Sequence, residues 1–237
     1  PKYLNSPESE VYQKSRALYG IYEARDALRH AETVLLVEGY IDVIALHQAG
    51  VSHTVATCGT AFTSSQLRMI RRHAAEVVTF FDGDAAGRRA AARNLPIFVE
   101  ETLWPKGVSL PEGDDPDTFV RKAGVEALRE RIKTAVPLAT VYAEQLQETA
   151  GRDAGSIARL GAELAGIVAR VTNEFDRDFF LRKVAFAAGL SEDVLRREAR
   201  RIEGRSRGDA ANDARSSTTV DQRRGGAPGP EELLVTA

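Results

Sequence analysis

Glu38, Asp82, Asp84, Asp115 and Asp117 recur beside glycine or proline in the first half of this 237-residue chain. They fall in Val37-Glu38-Gly39-Tyr40-Ile41-Asp42, Phe81-Asp82-Gly83-Asp84 and Gly113-Asp114-Asp115-Pro116-Asp117. Carboxylates drawn together repel one another unless a cation joins them. Oxygen donors of this kind suit Mg2+ or Mn2+ better than zinc. Paired divalent ions can activate an attacking hydroxyl and stabilise a leaving pyrophosphate. The chemistry these residues point to is therefore cation-assisted handling of phosphates. Taken singly, each cluster has a plainer reading: Asp-Gly is common in turns, and Glu38-Gly39 also suits an ordinary strand end. Their joint occurrence at strand ends favours the cation.

The elements that must position these acids are legible from the pattern. Residues 33–37 form a short apolar run rich in β-branched residues, as a buried parallel strand requires. A helical pattern follows through Val43, Leu46 and His47 and stops at Gly50. Strand and helix then alternate: strands are predicted at 51–57, 77–81 and 108–110, and helices at 63–73, 85–100 and 116–133. This alternation implies right-handed crossovers and a parallel, Rossmann-like α/β sheet with flanking helices. Ligands of such sheets sit at the carboxyl ends of the strands. Glu38 follows the first strand, Asp82 the third, and Asp114, Asp115 and Asp117 the last, so one sheet edge can gather them.

Residues 1–32 read as a leading segment containing a helix, with Ser6 as its cap, Pro7 in its first turn and Leu18, Tyr22, Ala24 and Leu28 on its apolar side. The resulting division is a leading segment at 1–32, the α/β domain at 33–133, a carboxyl-terminal helical subdomain at 134–203 and a disordered linker or tail at 204–237. Helical periodicity fills 138–149, 156–172, 174–188 and 191–202. From Gly204, Gly, Ser, Asp, Arg and Pro dominate the composition.

Composition narrows the function classes. Apolar residues make up 43% of the chain and the net charge is -2, so no global basic field exists and contact with nucleic acid needs a local patch or a metal. The lone Cys58 allows no internal disulfide and no cysteine zinc set, and is expected as a small buried filler. Such cysteine usage suits a reducing cytoplasm. No apolar run reaches the roughly 18 residues that span a bilayer. With Pro1 first and Met69 its one methionine, the chain is expected to be a piece of a longer polypeptide. His73 is expected at a helix end, and Phe98 and Trp104 in core or loop packing.

The first two acidic motifs resemble those of the TOPRIM domain shared by primases, topoisomerases and some nucleases. Further segments resemble the DnaG-type bacterial primases: Tyr3-Leu4-Asn5-Ser6-Pro7-Glu8, Leu18-Tyr19-Gly20-Ile21-Tyr22-Glu23-Ala24, Phe81-Asp82-Gly83-Asp84-Ala85-Ala86-Gly87 and Gly113-Asp114-Asp115-Pro116-Asp117-Thr118. The resemblance runs from about Lys2 to Lys133; the helical region beyond it matches only in kind.

The resemblance implies roles. Glu38, Asp82 and Asp84 would be catalytic and would hold Mg2+, with Mn2+ able to substitute. Asp115 and Asp117 would complete the metal pocket and Asp42 would support it. In the topoisomerases the glutamate acts as a general acid or base; in a polymerase a ligand role is favoured, and both stay open here. Lys2 and Lys14 fall where the family contacts template or nucleotide, and Gly59-Thr60 either lines the nucleotide site or makes a simple turn. Arg88, Arg89 and Arg93 balance the acids, touch phosphate or lie exposed. The implied reaction is synthesis of RNA primers on a single-stranded DNA template from ribonucleoside triphosphates. The replicative helicase would be met through a further module, no zinc is expected in this region, and no membrane is involved. Two rivals share the motifs: a TOPRIM nuclease or topoisomerase-like enzyme, and a metal or nucleic-acid binding module without turnover.

Overall fold

The computed structural model describes residues 6–10, 12–57, 62–81, 93–149 and 153–205. In chain order these form α1 (Ile21–Ala31), β1 (Thr33–Val37), α2 (Tyr40–Gln48), β2 (Thr54–Ala56), α3 (Ser64–Arg71), β3 (Glu76–Phe81), α4 (Leu95–Glu100), β4 (Lys106–Ser109), α5 (Pro116–Lys133), β5 (Val136–Pro137), α6 (Leu138–Thr149), α7 (Ala154–Val168), α8 (Glu174–Ala188) and a last helix, α9, at 192–205. The sheet order is β2-β1-β3-β4-β5. Its first four strands are parallel, and β5 closes the edge antiparallel to β4.

β1 shows why the sheet is covered on both sides. Val34 and Leu36 join Ala24 and Leu28 of α1, Leu67 and Ile70 of α3 and Phe98 of α4 in one core. Leu35 and Val37 point the other way, into a second core with Val43 and Leu46 of α2 and Phe119 and Leu128 of α5. The period-2 alternation of side chains serves two apolar layers at once, so every residue from Val34 to Val37 is buried. A third core joins α4 to the helical region through Leu95, Leu138, Leu164, Phe180 and Leu195. The expected packing of Phe98 and Trp104 is observed: Phe98 stacks on Phe62 at 5.0 Å, and Trp104 lies 5.3 Å from Phe180. His73 follows the end of α3, as expected.

The leading segment departs from the expected helix at Ser6 and Pro7. Residues 6–9 carry no regular structure, Lys14–Arg16 make a single 3-10 turn, and α1 begins only at Ile21. The reason is a prior commitment to the sheet. Tyr19 and Ala56 exchange backbone hydrogen bonds at 2.9 and 3.0 Å, so the chain runs extended beside the end of β2. Gly20, at φ +79°, then turns it into α1, and a Cβ there would lie 2.7 Å from Val43 Cγ1. Tyr22, expected on the apolar side of this helix, is 67% exposed, with the Arg25 guanidinium 4.3 Å from its ring centre. The strand expected at 51–57 contracts to Thr54–Ala56, because the Val51 N–H closes back on the Leu46 carbonyl and Thr54 Oγ1 donates to the Val51 carbonyl. Strand β5 is not anticipated by the sequence pattern: two residues, one a proline, carry no periodicity.

Gln66 fastens the leading segment to α3. Its side chain is fully buried, and Nε2 donates to the carbonyls of Lys14 (3.0 Å) and Ala17 (2.7 Å) while Oε1 accepts from the Thr63 N–H (3.0 Å). Thr63 caps α3 in return and donates to the Ser15 carbonyl at 2.6 Å. Gln66→Leu strands these groups and is expected to destabilise the protein by about 2–3 kcal/mol. Hydrogen exchange should quicken at the amides of Tyr19 and Ala56; unchanged protection there would show that Gln66 is not the fastener.

Candidate metal centre

Four parallel strands present their carboxyl ends at one edge of the sheet. Glu38 leaves β1 at this edge, is exposed, and has no hydrogen-bond or ion-pair partner among the described residues. The next strand, β3, ends at Phe81. The loop after β4 leads into α5, which Asp115 caps by accepting the Thr118 N–H at 2.7 Å, with Pro116 in the first turn.

Asp42 joins the first and third acidic segments. Its Oδ2 accepts the Gly39 N–H at 3.2 Å, and its Oδ1 accepts the Asp117 N–H at 3.1 Å. One carboxylate thus ties the start of α2 to the start of α5. A Cβ at residue 39 would stand 2.6 Å from Asp42 Oδ2, so any other residue there would push this carboxylate aside. Asp42 is only 9% exposed. Burial pushes its carboxyl up to about 6, against the pull of the Asp117 and Gly39 N–H groups and with a further push from the Asp115 and Asp117 charges.

Two cations of α5 meet the third acidic segment. Arg121 Nε donates to Asp117 Oδ1 at 2.7 Å, and Lys122 Nζ donates to Asp114 Oδ1 at 2.6 Å. Asp114 is buried in this pair. Neither cation stands out when the acids are read for metal binding, yet the i,i+4 spacing of Asp117 and Arg121 on a predicted helix is a visible signal.

The Toprim-like family matches residues 35–120. The chain is 39% identical over 205 residues to a DNA primase of Halalkalibacterium halodurans, a match covering 85% of this chain and 34% of that protein. A crystal structure of a DNA primase domain from Pseudomonas aeruginosa superposes with a TM-score of 0.74 at 37% identity, covering 84% of this chain and 64% of that one. The DnaG primase catalytic domain bound to single-stranded DNA superposes at 0.70 with 35% identity, covering 78% of this chain and 61% of that one. The chain belongs to the DnaG-type primase family. It spans about a third of the length of the curated relative and under two thirds of the solved primase domains.

In this DnaG-type chain the Toprim-like match runs from β1 into the start of α5, so it contains all three acidic segments. The described residues bring Asp42, Asp115 and Asp117 together and leave Glu38 open at the same sheet edge. No three His, Cys, Asp or Glu side chains among the described residues stand close enough to hold a metal ion. Asp82 and Asp84, which the sequence reading adds to the set, lie outside the described residues, as do Lys2, Cys58, Gly59, Thr60, Arg88 and Arg89. Arg93 is exposed. Lys14 is described: its carbonyl accepts from Gln66 at the start of α3, which places it beside the connection that follows β2. The donors present are hard carboxylate oxygens, a chemistry that suits a divalent cation, but the described ones do not by themselves converge into a binding group.

Proposed function

We propose that this chain supplies the divalent-cation pocket of a primase that builds RNA on a single-stranded DNA template. The observation that carries the reading is the Asp42 clamp: in a DnaG-type chain, a buried carboxylate fixes the Glu38–Gly39 turn against the Asp115–Asp117 helix start. Glu38, Asp82, Asp84, Asp115 and Asp117 would hold Mg2+, with Mn2+ as a substitute. When bound, the cation polarises phosphate and lowers the pKa of an attacking hydroxyl.

In the proposed reaction the primer 3′-hydroxyl oxygen bonds to the α-phosphorus of an incoming ribonucleotide. The bond from that phosphorus to the pyrophosphate oxygen breaks, and the hydroxyl proton is released. Asp42 positions rather than reacts, because both of its oxygens are engaged by backbone N–H groups. Lys14, beside the β2–α3 connection, and Lys2 supply charge for template or nucleotide phosphates, with Gly59 and Thr60 at the nucleotide. The P. aeruginosa and H. halodurans relatives are DNA primases, which favours this reading over a nuclease. Ribonucleoside triphosphates and single-stranded DNA are the substrates proposed, and helicase contact belongs to another module. The setting proposed is cytoplasmic and replisome-associated; no helix among the described residues is long and apolar enough to cross a membrane.

Isothermal titration of this chain with Mn2+ tests the pocket. Binding in the micromolar to millimolar range is expected, and the double change Asp82→Ala with Asp84→Ala should abolish it. Undiminished binding in the double variant would sink the assignment of these two acids.

A further inference from the structure

We propose that Arg121 is the resident counter-ion of this pocket: it holds Asp117 in the cation-free protein and competes with a divalent cation for that carboxylate. The inference rests on the metal reading above. Its geometric basis is the 2.7 Å contact of Arg121 Nε with Asp117 Oδ1, one turn apart on α5. The two partners are unequal. The Asp117 side chain is 15% exposed, whereas that of Arg121 is 73% exposed. Asp117 is also fixed through its backbone, since Asp42 Oδ1 holds its N–H. The carboxylate is therefore the stationary partner and the guanidinium the movable one.

The need for a counter-ion follows from the neighbours. Asp42 Oδ1 accepts the Asp117 N–H at 3.1 Å, and Asp115 caps the same helix two residues earlier, so three carboxylates share this corner. Without a cation, the start of α5 would have to bear this repulsion unaided. A guanidinium cannot escape by losing its proton at ordinary pH. It can leave Asp117 only by swinging into water, which a mostly exposed side chain does at low cost. A divalent cation that uses Asp117 must displace Arg121 or share the carboxylate with it. An exposed ion pair of this kind contributes up to about 1 kcal/mol, so its removal is expected to tighten cation binding roughly two- to five-fold.

Lys122 provides the internal control. It is the next residue along α5 and also carries one positive charge, but it pairs with Asp114, which is not a candidate ligand. Competition for a ligand predicts an effect at Arg121 that is absent at Lys122, whereas a general change in local charge predicts similar effects at both.

The test is Mn2+ titration of the 237-residue chain and its variants, read by the paramagnetic resonance of the free ion, together with melting in chelator and in saturating Mn2+. Arg121→Ala should bind Mn2+ roughly two- to five-fold more tightly than the unaltered chain, and Lys122→Ala should bind as the unaltered chain does. Arg121→Ala should also melt lower in chelator, with the deficit shrinking once Mn2+ is bound; a purely structural ion pair would leave the deficit the same in both. Unchanged or weaker Mn2+ binding in Arg121→Ala, or equal tightening in Lys122→Ala, overturns the inference. An unaltered chain that binds no Mn2+ overturns the metal reading, and this inference with it.

Discussion

Glu38→Gln in the complete primase is expected to lower primer synthesis by about three orders of magnitude while leaving the fold intact. The size follows from the proposed role: losing a cation ligand or proton acceptor at the reacting centre removes several kcal/mol of transition-state stabilisation, at about 1.4 kcal/mol per ten-fold. The intact fold follows from the structure. Glu38 is exposed and has no hydrogen-bond or ion-pair partner among the described residues, so an isosteric amide there should change stability by less than about 0.5 kcal/mol. Incorporation of labelled ribonucleotides and a melting curve measure the two quantities on the same sample. Mn2+ titration then separates the two roles for Glu38. A ligand that is lost weakens Mn2+ binding along with activity; a proton acceptor that is lost leaves Mn2+ binding in place. Activity retained within ten-fold would remove Glu38 from the reacting centre.

The parts of this molecule that were legible in the sequence are those governed by local pattern. β1 was readable because it is buried on both faces, so its residues form an unbroken apolar run. Helical periodicity gives the bounds of α5 and α8, although α5 breaks at Gly124 (φ +83°); in the structure Asp115 and Asn173 cap these helices by accepting backbone N–H groups within three residues. Position within the fold was harder. The sequence makes Ser6-Pro7 look like a helix start, but the Tyr19–Ala56 bridge, a contact between distant residues, holds the chain extended there, and the α-helix begins only after Gly20. Gln66 looks like an ordinary polar helix residue, and only the fold shows that it is buried against Lys14 and Ala17. In the candidate site, residue types and strand ends suggest Glu38, Asp115 and Asp117, and the fold sets Glu38 at the end of β1 and the other two at the start of α5. The contact between Asp42 and Asp117 spans 75 positions of sequence, and no local pattern announces it.

That contact carries the largest expected effect on stability. Asp42→Ala deletes a buried acceptor shared by two backbone donors, the Gly39 N–H at the start of α2 and the Asp117 N–H in the first turn of α5. First-turn N–H groups have no partner within their own helix, so each depends on a cap, on water or on a neighbour. Asp42 is the neighbour for both, and its replacement leaves them to whatever water reaches a site that is 9% exposed. Leaving buried donors unpaired is expected to cost about 3 kcal/mol in total. At roughly 2–4 °C per kcal/mol for a domain of this size, the melting temperature in chelator should fall by about 6–12 °C. Asp42→Asn retains an acceptor oxygen but puts an amide N–H where a second acceptor stood, so it should fall between the two. The same change loosens the Glu38 turn from the Asp115–Asp117 helix start, so Mn2+ affinity should drop even though both oxygens of Asp42 are already engaged by backbone N–H groups. A melting temperature within 2 °C of the unaltered chain would mean that water replaces Asp42 without loss, and the clamp would then have no energetic standing.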